Sequence, residues 1–393
     1  MVLRPAILTG QQIGVGWTPA LSVVKALAAL VEARREGLRA IYWMADEDHD
    51  RDEVAQTHGF QGNRLLHHRF RFRAPEGTAT GWLPWTEEHQ AEAEALWGPL
   101  PPATTPDLRG HVLALGQPLW GLGIEPFSPT LPELRNPIQG ELERWRSLDL
   151  DTELLAQAER LEAGGFPVPL DPRTQAAWFR LDPRTGRRRR LERGEPCPKD
   201  CWLSPGAALR PLMQSLLLPV AGVVLGPAER AYWRLTEPLW ERVGLQAPRI
   251  IPRPTVFVVP PGLDLDIEHL PLIQAGRWEA FQDVLGPLPS KALAPVPSQA
   301  TWGEALGDRF QRELDRTRRR LEKLDRRVHR DAAAIRFGTD PERLRQQLFP
   351  LDRPQERVLP GLFWLRSPSL LLRMIQGLER AEATLLVETD PLS

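Results

Sequence analysis

A chain of 393 residues, 42% hydrophobic and 26% charged, is long enough for two domains and has ample material for a core. Fifty Lys+Arg against 51 Asp+Glu leave a formal net charge of -1, which excludes a global electrostatic pull toward nucleic acid or an anionic membrane. No apolar run reaches the roughly 18 residues that span a bilayer, residues 1–9 lack a signal-peptide layout, and two cysteines (Cys197, Cys201) cannot build a disulfide framework, so a cytoplasmic protein is expected.

In chain order, residues 5–9 (PAILT) read as a buried strand, followed by a loop with Gly10, Gly14 and Gly16. Thr18 reads as an N-cap with Pro19 at the first helical position. Leu21, Val24, Leu27, Ala28 and Val31 then recur at helical spacing until Gly37 stops the helix. Residues 40–45 (AIYWMA) form a second buried strand that runs into the acidic block Asp46-Glu47-Asp48-His49-Asp50. Strand, glycine loop, helix and strand open a doubly wound α/β domain.

Residues 75–135 are rich in Pro, Gly and Trp without sustained periodicity and read as irregular. A helix is expected over 141–162, then a hairpin of 177–181 and 187–191 around a glycine-containing turn. The four arginines 187–190, next to Glu192 and Glu195, read as a solvated face. The α/β alternation returns with a helix over 208–217, a buried strand over 220–225, a helix over 228–243 and a proline-punctuated strand region over 249–259. A charged helix runs from 302 to about 336. In it Phe310, Leu314, Thr317, Leu321, Leu324 and Val328 follow heptad spacing, which suits a coiled-coil seam or an antiparallel helical hairpin. After a break at 350–360, residues 362–386 are apolar and mostly helical.

Two places can carry chemistry. The loop with Gly10, Gln11, Gln12 and Gly14 exposes backbone N–H groups beside a helix start, an anion site in principle, although its spacing is neither a P-loop nor a dinucleotide fingerprint. Lys25 lies two turns into that helix. The acidic block sits at a strand's carboxyl end, where open α/β sheets place ligands. Crowded carboxylates there suit proton transfer, a cationic substrate or a divalent metal, and His49 could be a base oriented by its neighbours; a solvated acidic turn is the plain alternative. Cys197 and Cys201 have no second pair to complete a zinc site. Only four lysines and two tyrosines occur, so Lys25 and Tyr232 stand out.

The series resembles one family, the bacillithiol-biosynthesis cysteine-adding enzymes. Its blocks are Thr9-Gly10-Gln11-Gln12-x-Gly14 with Pro19 and Lys25, then Glu47-Asp48-His49-Asp50 with Glu53. They continue with Leu203-Ser204-Pro205, Leu209-Arg210-Pro211 through Gln214, Gly226-Pro227-x-Glu229, Ala231-Tyr232, Pro252-Arg253 and Gln355-Glu356-Arg357-Val358. Thr18, Leu21, Arg51 and Gly206 depart from the family pattern.

The resemblance implies an α/β fold: a Rossmann-like doubly wound core with inserted connecting segments and a short helical coiled-coil arm. The core would occupy residues 1–300 with an irregular insertion at about 61–205, the arm 301–349, and a C-terminal segment returning to the core 350–393. It implies a ligase that adds L-cysteine to glucosaminyl-malate, with ATP or ADP bound, Mg2+ as a possible companion, and a homodimer formed through the arm. The residues themselves fit that activity: Glu47, Asp48, His49 and Asp50 would carry catalysis, holding an ammonium or acting as base on the amine. Gly10, Gln11, Gln12, Gly14 and Lys25 would bind the nucleotide, and Arg210, Gln214, Glu229, Tyr232 and Arg253 the substrates. A non-catalytic member that binds nucleotide or a thiol precursor is the alternative.

Overall fold

The buried N-terminal runs become the middle of a parallel sheet in the computed structural model, which describes residues 4–61, 64–285 and 304–388. The boundary expected at 300–301 and the start of the arm at 301–303 lie outside those residues. The strands are β1 (Ala6–Gln11), β2 (Arg39–Met44), β3 (Gln56–Gln61), β4 (Arg64–Arg69), β5 (Ile124–Phe127) and β6 (Trp178–Leu181). They continue with β7 (Arg188–Arg190), β8 (Trp202–Pro205), β9 (Val220–Leu225), β10 (Arg249–Pro252), β11 (Thr255–Val259) and β12 (Thr384–Glu388). Five of them form the main sheet in the order β10-β9-β1-β2-β5, every pairing parallel. The chain winds outward from β1 to one edge and then returns to wind to the other, so the sheet's switch point lies between β1 and β9.

Both faces are covered, as an all-parallel sheet requires. The strand period of two sends Ala6, Leu8, Ile41, Trp43, Val223 and Leu225 into a core with Leu142, Trp145, Leu150, Leu154, Leu212 and Met213. The opposite face carries Tyr42, whose ring lies 5.0 Å from Trp17, and is packed by the helix Leu21–Glu36. That helix ends where expected, on Gly37 in the left-handed region (φ 65).

Several expectations are corrected. Residues 75–135 contain the helices Glu87–Trp97 and Leu108–Leu115 and also β5, a full member of the sheet. β5 escapes a periodicity reading because it is four residues long and contains Pro126; a proline is tolerated there because β5 is an edge strand, as Pro252 is on the other edge. Thr18 is not an N-cap: the helix begins at Leu21, and the preceding Val15–Trp17 turn has Gly16 and Trp17 at positive φ. The helix expected over 141–162 is two, Gln139–Ser147 and Leu150–Ala163, divided at Asp149 (φ 54). The one expected over 228–243 is broken between Pro227–Trp233 and Leu239–Val243.

The chain divides into two compact units. The first holds the residues up to Phe257 together with Glu356–Val387, and so contains the whole main sheet; the second is built on Val258–Gln355. Within the second unit a 34-residue helix, Glu304–Phe337, extends about 50 Å at 1.5 Å per residue. Its C-terminal end packs Phe337 against Phe281 (5.0 Å between rings), and Trp278 donates to Glu342 at 3.0 Å. Along its length the seam residues Phe310, Leu321 and Leu324 are exposed. Among the described residues no helix is long and apolar enough to cross a membrane.

Candidate active site

β1 and β2 approach so closely at Gly10 that a Cβ there would sit 2.9 Å from the Trp43 carbonyl oxygen, so glycine serves the packing of the two strands. Gly14 is similarly confined: a Cβ there would sit 2.4 Å from the Thr18 carbonyl oxygen. Lys25 does not face outward to an anion. It is fully buried behind the loop, where its ammonium donates to the Gly10 carbonyl, to Gln11 Oε1 at 3.2 Å and to Glu229 Oε1 at 2.6 Å. Glu229 Oε2 accepts from the Gly226 N–H at 2.8 Å. One lysine therefore ties the carboxyl end of β1 to the turn after β9, across the switch point. Burial lowers the Lys25 pKa and Glu229 only partly restores it. Replacing Lys25 with Met should cost on the order of 3 kcal/mol in a denaturant melt, the low end for breaking a buried pair because Glu229 keeps some contact with water. A loss under 1 kcal/mol would mean that the pair does not hold the two turns together.

The acidic block separates into residues with different surroundings. Asp46 is buried and accepts from Ser128 Oγ at 2.6 Å and Thr130 Oγ1 at 3.0 Å; burial pushes its carboxyl up to about 6, with Arg109 opposing. Glu47 has no exposed surface. It accepts from Arg135, equally buried, at 2.9 Å and from Ser204 Oγ at 2.9 Å. Burial would raise its pKa, but Arg135, Arg188 and Arg210 together hold it below the ordinary value. Asp48 accepts from Arg210 at 2.8 Å and lies 3.5 Å from Arg188; the two guanidiniums overcome burial and hold its carboxyl well below the usual range. His49 Nδ1 lies 3.2 Å from Arg188, and burial and that charge lower its pKa. Asp50 caps the short helix Arg51–Val54 by accepting from the Glu53 N–H at 3.0 Å.

Arg188 overturns the reading of 187–190 as a solvated face. It is 3% exposed, donates to the Pro205 carbonyl at 2.8 Å and Ser204 Oγ at 3.2 Å, and lies 3.9 Å over the Phe179 ring. In the hairpin it pairs directly with the buried Leu181, so strand alternation turns it inward and its neighbours Arg187 and Arg189 outward; Arg190, at the strand end, is exposed as well.

At the carboxyl ends of β1, β2 and β9 lies a cavity of about 300 Å³. It brings together Gly10, Gln11, Gln12, Asp48, Arg210, Gln214, Glu229, Tyr232 and Arg253. Gly14, Lys25, Glu47, His49 and Asp50 do not line it; His49 and Asp50 face a second cleft beside the Arg187–Arg190 strand. Residues that the sequence did not single out complete the walls: Glu53 and Arg357 in the cavity itself, with Arg135, Arg188 and Ser204 behind it. Glu53 and Arg357 carried a signal, since both fall in the motif blocks; Arg135 carried none. The charges close in pairs, Asp48 with Arg210, Glu229 with Lys25, and Arg253 with the buried Glu356. Among the described residues, the side chains of Glu53 and Arg357 are left without a hydrogen-bond or ion-pair partner. No group of three or more His, Cys, Asp or Glu among the described residues is arranged to hold a metal ion.

Fold and cavity define a doubly wound α/β protein with a polar-lined cavity at its switch point. A family model, Bacillithiol biosynthesis BshC, N-terminal Rossmann-like domain, matches residues 197–254. Two proteins from different strains of Thermus thermophilus, each named putative cysteine ligase BshC, are 29% identical over 436 aligned positions, covering 95% of this chain and 86% of their own. A protein of the same name from Salinibacter ruber is 26% identical over 382 positions, covering 84% of this chain and 68% of its own. The resemblance read from the motifs holds over most of the chain: it is a Rossmann-like relative of the BshC proteins.

Proposed function

We propose that the chain is a ligase that joins L-cysteine to the amino group of glucosaminyl-malate, forming the amide of bacillithiol. The ligase class is that of its relatives' names. The observation that carries the reading is convergence: residues from blocks as far apart as Gly10 and Arg357 line one cavity of about 300 Å³, a volume suited to a small polar molecule. Amide formation joins the amine nitrogen to the cysteine carboxyl carbon and breaks that carbon's bond to an oxygen, which leaves with its electron pair. A nucleoside triphosphate, when bound, would supply the activation that makes this oxygen a leaving group.

Lys25, held inward, does not fit as a phosphate ligand; Arg357, whose guanidinium has no ion-pair partner among the described residues, is the cavity cation open to an anionic group. Mg2+ would arrive held mainly by the nucleotide's phosphates and water. Gln214 and Tyr232 offer hydrogen bonds to hydroxyl or amide groups. The test is complementation of a strain that lacks its cysteine-adding enzyme: restored bacillithiol supports the reading, and accumulated glucosaminyl-malate without bacillithiol sinks it.

A homodimer through the long helix belongs to the same proposal, since Leu321 and Leu324 are 41% and 56% exposed on one seam. Sedimentation should give a dimer for the parent and a monomer for the double change Leu321→Glu with Leu324→Glu. A monomeric parent would contradict it.

A further inference from the structure

An amine nucleophile is protonated at neutral pH and must lose a proton before its lone pair can attack. Three carboxylates line the cavity, and two are engaged. Asp48 is gripped by Arg210 and Arg188, which makes it a poor base. Glu229 is held by the Lys25 ammonium and the Gly226 N–H. His49 faces the other cleft with Nδ1 turned to Arg188.

We propose that Glu53 is the proton acceptor for the substrate amine, an assignment that rests on the ligase reading. Its carboxylate has no hydrogen-bond or ion-pair partner among the described residues and stands at the exposed rim, on a backbone anchored where the Glu53 N–H donates to Asp50. In the step, an N–H bond of the ammonium breaks and its electron pair stays on nitrogen. An O–H bond forms on Glu53, and the proton then passes to water at the rim. Partial burial at the rim, then the negative charges of Asp50 and Asp48, raise the Glu53 pKa, which strengthens it as a base. The charged and titratable groups across the cavity are Arg210, Glu229, Tyr232, Arg253 and Arg357.

The test is the pH profile of kcat/KM for amide formation by the purified full chain, with cysteine, glucosaminyl-malate and ATP. Glu53→Gln should lose about 100-fold or more at neutral pH, the scale of general-base catalysis, with little change in KM and no acid limb of the parent's kind. Glu53→Asp should keep part of the rate. Asp50→Asn leaves an amide oxygen to accept from the Glu53 N–H but removes a negative neighbour. It should therefore move the acid limb to lower pH, a shift that a merely structural role would not produce. An active parent with Glu53→Gln within threefold of it would overturn the role of Glu53 alone. A folded parent that forms no amide would overturn the ligase reading and this assignment with it.

Discussion

Replacing Glu47 with Gln should lower stability by about 3–5 kcal/mol, the cost of leaving a buried charge without its partner. Arg135 has no exposed surface, and among the described residues its guanidinium reaches, beyond Glu47, only the Leu203 carbonyl at 3.1 Å and the Met213 sulfur. A neutral amide at position 47 keeps the shape and removes the charge that compensates Arg135. The paired replacement Glu47→Leu with Arg135→Met should recover most of the loss, because it removes both charges together. Denaturant melts of the three variants check this. If Glu47→Gln melts within 1 kcal/mol of the parent, Glu47 is not the anchor of the acidic block, and a direct chemical role for it regains ground.

Arg210→Ala should lower kcat/KM for amide formation by about 100-fold or more, which is about 2.7 kcal/mol of barrier at 1.36 kcal/mol per tenfold. Arg210 lines the cavity, bonds Asp48 at 2.8 Å and lies 3.6 Å from Glu47, so its loss disorders the one wall where the acidic block meets the site. Arg210→Lys should recover little, since an ammonium cannot reproduce a planar fork facing two carboxylates. The same change has a pH signature. The Asp48 carboxyl is held well below its ordinary value of about 3.9, so its stabilisation is fully present above that pH and is lost as pH falls through the folded value. Without Arg210 the folded value rises toward the ordinary one, leaving Arg188 at 3.5 Å as the nearest cation. The stability gap between parent and variant should therefore be widest above about pH 4 and close below it. A gap that widens as pH falls would contradict the pairing.

The centre of the sheet was legible because β1, β2 and β9 are continuous apolar runs with glycine or acidic residues at their ends, the mark of strands buried on both faces. β5 was not, since an edge strand needs neither length nor an unbroken row of N–H donors, and Pro126 made it read as loop. In the site, the motif blocks indicated which segments meet but not which side chains turn inward. Glu47, Asp48 and Asp50 look alike in sequence. Their roles are set by partners 88 and 162 positions away, Arg135 for Glu47 and Arg210 for Asp48, and by the adjacent turn for Asp50. In sequence Lys25 groups with the loop expected to bind nucleotide because it belongs to the same motif block, although it lies two turns into the helix. The deciding contact is Glu229, 204 positions on. Arg188 was hidden in a run of four arginines, where charge suggested a surface and only the hairpin register singles it out.

Cysteine ligation is proposed to take place in the cavity at the switch point. Purified full chain incubated with L-cysteine, glucosaminyl-malate and ATP, followed by mass detection of the amide, tests it most directly. The expected result is bacillithiol formed by the parent and reduced about 100-fold or more in Arg210→Ala. A folded parent that yields no amide, or a yield that Arg210→Ala leaves unchanged, would contradict it.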